Sequence, residues 1–133
     1  MKFKWLKRFK SDESGTATIE SVLWLPLFFY LLLLVVDVSF IFFGKAQILQ
    51  DSHDGNRALS TGSLGNAAEA QSFITNAISD FSANATVTTV IDNGTSIVTT
   101  TINVPATDLM AIGYVPVFNS TNIQIVAQHM LEH

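Results

Sequence analysis

Apolar positions along this chain fall into three patterns. From Ile19 to Phe43 they are nearly continuous, broken only by Glu20, Ser21, Pro26, Asp37 and Ser39. A hydrocarbon core of about 30 Å needs about 20 helical residues at 1.5 Å rise each, and Ala17 to Val36 meets that length. The run predicts one transmembrane helix. In "NAAEAQSFITNAISDFS", Phe73, Ile74, Ala77, Ile78 and Phe81 recur at helical spacing, as in a half-buried helix. The third pattern is β-branched. "ATVTTVI" and "SIVTTTINV" flank "DNGT", whose Asn93-Gly94 step predicts a tight hairpin turn. "NIQIVAQHM" alternates at Ile123, Ile125 and Ala127, as a further strand does.

The segments between these elements are less regular. In "GKAQILQDSHDGNRALS", Ala46, Leu49, His53, Asn56 and Ser60 share a mostly polar stripe. The helix is therefore expected to run past the bilayer without a strong core face, weakened by Gly55. "STGSLGN" reads as a turn. "ATDLMAIGYVPVF", marked by Pro105 and Pro116, reads as a loop with a short helical turn. The fold class expected is α+β: a long N-terminal transmembrane helix, then a small domain of one or two helices packed on a short antiparallel sheet. Its core candidates are Phe73, Ile74, Ile78 and Phe81 with Val87, Val98, Ile102, Ile123 and Ile125.

Charge adds orientation to this picture. Lys2, Lys4, Lys7, Arg8 and Lys10 are five of the seven basic residues, and flanking cations hold their side of a span in the cytoplasm. From residue 46 onward there are seven acids against the single Arg57. That balance argues against nucleic acid as a partner. The expected organisation is a basic cytoplasmic leader over 1–15, the transmembrane helix over 16–43, a juxtamembrane helix and turn over 44–62, and a periplasmic domain over 63–133. A cleaved secretory signal is the competitor, but its apolar region is usually about 7–15 residues and ends in a small-x-small site. Here the run is longer and closes on "FIFFG". The chain has no cysteine, so no disulfide staples the domain.

Two acids interrupt the apolar run. Asp37 is expected at its outer end as a hydrated interfacial charge. Glu20 lies in the first turns, where a carboxylate needs a partner or a route to water. It follows "SGTATI", so that a cut after Gly15 would make Glu20 the fifth residue of a chain beginning at Thr16. This arrangement of basic leader, Gly, cut, Glu at position five and long apolar helix resembles the type IV prepilin processing site. More particularly, Ser14 to Gly62 resembles the TadE-like family of the tight-adherence (Flp) pilus system, with its Gly, small residues, Glu, apolar run and early Leu25-Pro26. One departure is Ser21, where Flp pilins carry Tyr. The chain is also longer than Flp major pilins.

The resemblance implies a pilin-like layout and a minor, pseudopilin-type subunit of pilus assembly. It implies cleavage between Gly15 and Thr16 by a prepilin peptidase, with Glu20 as the position-five acid. Implied partners are the inner membrane, that peptidase, other pilin-like subunits and the tight-adherence secretion platform. The expected location is the bacterial inner membrane, single-pass, with the C-terminus periplasmic. An unprocessed, membrane-anchored periplasmic binding module is the alternative.

Other motifs carry less. His129-x-x-Glu132-His133 matches an inverted zinc-protease pattern, but such a site needs a helix held in a cleft and a further ligand, and that context is missing. Asp51, His53 and Asp54 could ligate a metal, and a solvated helix surface explains them equally well. The sequons at Asn84, Asn93 and Asn119 are expected from a Thr-rich composition. No nucleophile has a base and orienting group beside it. Neither an enzyme, a metal site nor a cofactor is expected.

Overall fold

The computed structural model describes residues 13–132. The basic leader residues Lys2 to Lys10 and His133 lie outside the described residues. Helix α1 spans Glu13–Ser60, α2 Ala67–Ile78, strand β1 Thr86–Asp92, β2 Ile97–Pro105, helix α3 Ala106–Leu109 and β3 Asn122–Met130. A single 3-10 turn occupies Pro116–Phe118. The architecture is α+β, with a three-stranded antiparallel sheet in the order β1-β2-β3. Tertiary contacts divide the chain into two units, one ending at Val35 and one beginning at Val36.

Within the first unit α1 is apolar on every side. Leu23, Trp24, Phe28, Phe29 and Leu32 are all exposed. A helix hydrophobic all round needs an apolar solvent. By length and composition α1 contains one candidate membrane span. This fits a single-pass membrane protein.

The second unit is built on one face of the sheet. Val87, Val98, Ile102, Val104, Ile125 and Ala127 are buried on it, and Ile74 and Ile78 of α2 with Ile48 of α1 pack into the same core. The register pairs Val87 with Ile102 and Ile102 with Ile125, so a row of apolar side chains crosses all three strands. A second, smaller cluster joins Leu59, Ala70 and Val98. Asn66 caps α2 by accepting the Glu69 N–H at 2.9 Å, while Glu69 accepts from Gly65 N at 2.7 Å. That reciprocal box fixes where α2 begins. At its other end, Asp108 accepts the Ser82 hydroxyl and the Asn84 amide, the latter at 3.2 Å.

Three expectations change. Phe73 is 45% exposed, because the buried face of α2 runs through Ala70, Ile74 and Ile78. The hairpin forms as expected, but not by a two-residue Asn-Gly turn. Asp92 pairs with Ile97, leaving a four-residue loop in which Ser96, not Gly94, is left-handed at φ 54°. Asp92 dictates this by accepting Gly94 N at 2.9 Å and the Thr95 hydroxyl at 2.8 Å, a side-chain-built turn. The third change lies in α1 beyond the apolar run. Its buried stripe is Gly44, Ile48, Ser52, Gly55, Asn56, Leu59 and Ser60, a genuine core face made largely of small and polar residues.

That stripe works by close approach. A methyl group added at Gly55 would overlap Ile74 Cγ1 and stand 2.7 Å from its Cδ1, so only glycine lets α2 lie this near. Ser52 and Ser60 return their hydroxyls to the carbonyls of Ile48 and Asn56, at 2.7 and 2.8 Å. Their polarity is thereby absorbed within the helix.

Candidate functional site

Gly15, Thr16 and Glu20 lie in the first turns of α1, and all three are exposed. Thr16 and Glu20 stand four residues apart and so share one helix face, about 6 Å along the axis. An added side chain at Gly15 would meet nothing within 4 Å. Ser21 donates to the Ala17 carbonyl at 2.9 Å, which satisfies its hydroxyl inside an apolar stretch and makes Ser tolerable there. The structure places these residues on one helical segment at the beginning of the apolar run.

Asp37 departs from the hydrated charge expected of it. It is fully buried. Its Oδ1 accepts the backbone N–H of Ile112 at 2.9 Å and that of Gly113 at 3.4 Å. Gly113 has φ 72°, a left-handed turn that costs glycine little and that follows directly on the Ile112 amide. Oδ2 is buried without a hydrogen-bond partner. Asp37 therefore works as a clasp holding the loop between α3 and β3 against α1. An acid inside an apolar run ahead of a Gly-containing loop was the only trace of this in the sequence.

Asn56 is the second residue whose role composition hid. It is fully buried. Its Nδ2 donates to the Ala127 carbonyl on β3 at 3.1 Å, and its Oδ1 accepts the Thr100 hydroxyl on β2 at 2.6 Å. With that proton committed, the 2.9 Å contact between Thr89 and Thr100 has Thr89 as donor. One amide on α1 thus fixes β3 and β2 directly and β1 through a cross-strand threonine pair. Gln71 of α2 accepts the outward Thr89 N–H at 3.2 Å, covering part of the β1 edge.

The remaining motif residues are dispersed. Asp51 is half-buried while His53 and Asp54 are exposed. Burial, and then the neighbouring Asp54 charge, raise the Asp51 carboxyl pKa. His129 sits on β3 and Glu132 beyond it, not on the helix that an inverted zinc-protease motif requires. A cleft of ≈ 310 Å³ is walled by Phe40, Phe43, Phe81, Leu109 and Met110, with Asp80 and Asp108 at its lining. It is mostly apolar.

No curated protein and no solved structure matches the chain. The family model of TadE-like proteins matches residues 15–55, the stretch that holds Gly15, Glu20, the apolar run and α1 as far as Gly55, consistent with a TadE-like pilus assembly protein.

Proposed function

We propose that this chain is a pseudopilin-type minor subunit of tight-adherence pilus assembly, cleaved after Gly15 by a prepilin peptidase. The observation that carries the reading is the coincidence of the family match over 15–55 with the Gly15-to-Glu20 spacing at the start of a long apolar helix. The chemistry supports it. Cleavage frees an ammonium group at Thr16 on the same helix face as the Glu20 carboxylate, and opposite charges persist in apolar surroundings when they are paired. Cleavage also removes five cations that hold the helix in its original orientation. A subunit freed in this way can move relative to the bilayer and pack its helix against those of other pilin-like subunits. The folded second unit then faces the periplasm and supplies the contact surface for the assembly platform.

The test is a Gly15→Val replacement in a host carrying the tight-adherence genes, read by immunoblot and by counting surface pili. The expected result is an uncleaved chain at normal abundance in the membrane and loss of pili. Normal pili alongside an uncleaved chain would refute processing as the basis of function and leave a permanently anchored binding module.

A further inference from the structure

Outside α1, the loop from Met110 to Phe118 gathers more exposed large apolar side chains than any other segment of the second unit. Ile112 is 42%, Tyr114 76% and Val117 68% exposed, and no charged residue occurs between Asp108 and Glu132 in an otherwise acidic half of the chain. The loop is not loosely hung. Val115 is fully buried beneath it, Ala106 N donates to Thr121 O at 2.9 Å across its base, and Asp37 holds its tip at Ile112 and Gly113.

Its course along α1 gives it a depth. Leu109 packs on Gly44, where an added methyl would stand 2.8 Å from Leu109 Cδ2, whereas Ile112 is bonded to Asp37. Between these two attachments the loop descends seven helical residues, about 10 Å, toward the apolar run. Lys45 is the first cation after that run, and such residues mark the headgroup level. The loop tip therefore lies on the hydrocarbon side of Lys45, where Met110 and Ala111 share a cleft with the exposed Phe40 and Phe43. A carboxylate at the depth of Asp37 needs internal donors, and the loop supplies two backbone amides while turning apolar side chains outward.

We propose that the Met110–Phe118 loop is a membrane-interface element that inserts Ile112, Tyr114 and Val117 into the outer leaflet beside α1. Continuity with the membrane span selects lipid as the occupant. Tyrosine suits that position, having an apolar ring and a hydroxyl able to reach water. The second unit would then be held at a fixed height and rotation on the bilayer by two attachments, the helix and the loop, and not by the helix alone. This rests on the membrane span and is independent of processing at Gly15.

The absence of cysteine makes single-site spin labelling of the intact chain direct. Labels would be placed by Ile112→Cys, Tyr114→Cys and Val117→Cys, with Leu31→Cys as the lipid reference and Asn93→Cys as the water reference, in phosphatidylethanolamine–phosphatidylglycerol vesicles. The expected result is that collisions with oxygen exceed those with a water-soluble nickel chelate at positions 112, 114 and 117, as at 31, with the ratio inverted at 93. Chelate access at all three matching that at 93 would place the loop in water and overturn the proposal. Exclusion of both reagents would identify a protein contact instead and overturn it equally.

Discussion

Replacing Gly55 by alanine separates two effects of opposite sign. On helix propensity alone the change stabilises by about 1 kcal/mol. The packing opposes it, because the new methyl overlaps Ile74 Cγ1 and reaches within 2.7 Å of Cδ1. Ile74 is fully buried and β-branched, so its χ1 cannot yield cheaply. Overpacking of a close-packed site costs about 1–3 kcal/mol, and stiffness puts this case at the upper end. The net expectation is a loss of about 2 kcal/mol. For a domain of roughly 100 residues, each kcal/mol shifts Tm by about 4–8 °C, so calorimetry of the intact chain in detergent micelles should show a fall of about 10 °C. In an Ile74→Ala background both clashing atoms are gone, and Gly55→Ala should be neutral or stabilising. A rise in Tm on Gly55→Ala alone, or an equal fall in both backgrounds, would refute the close-approach argument.

Other substitutions probe the polar contacts. Asn56→Ala removes the side-chain donor to the Ala127 carbonyl and the acceptor of the Thr100 hydroxyl, which keeps Thr89 as its remaining side-chain partner, at about 0.5–1.5 kcal/mol for each bond lost. Its melting temperature should fall far more than that of the exposed Thr61→Ala, and near-equal values would deny the network its role. Asp37→Ala removes the acceptor from Ile112 and Gly113, and hydrogen exchange at those two amides should accelerate about tenfold to a hundredfold. Unchanged protection would mean that Asp37 is not what holds the loop tip. The Thr95 hydroxyl, and then the Gly94 amide, lower the Asp92 carboxyl below its ordinary value of 3.8. Its contribution to the hairpin is therefore complete above that value and lost as pH falls through the lower folded one. An NMR titration should show Asp92 protonating after the free carboxylates, and Asp92→Asn should abolish the matching acid-side shift of the Gly94 amide resonance.

What the sequence made legible was whatever burial writes as hydrophobicity. The transmembrane run, the α2 residues Ile74 and Ile78 and the alternating Ile123 and Ile125 all announce their elements, because large apolar side chains at a fixed period have one economical arrangement. The juxtamembrane core face was hidden for the converse reason. Gly44, Ser52, Gly55 and Asn56 bury backbone and polar atoms, and their fitness depends on Leu109, Ile74, Thr100 and Ala127, which are distant in sequence. Periodicity cannot report such partners. Asp37 misled in a similar way, since an acid at the end of an apolar run reads as solvated until the loop that donates to it is folded alongside. The Asn93-Gly94 step gave the hairpin and missed its turn because the Asp92 side chain, not glycine torsion, organises the corner. At the proposed processing segment the pattern was fully local: Gly15, Thr16 and Glu20 are near neighbours in sequence.

The most direct test of the proposed role is the mass and N-terminal sequence of the membrane-extracted chain, expressed with and without a tight-adherence prepilin peptidase. A chain beginning at Thr16 only when the peptidase is present is the expected result. A full-length chain under both conditions would contradict the account and make Glu20 an ordinary interfacial acid on an anchored periplasmic module.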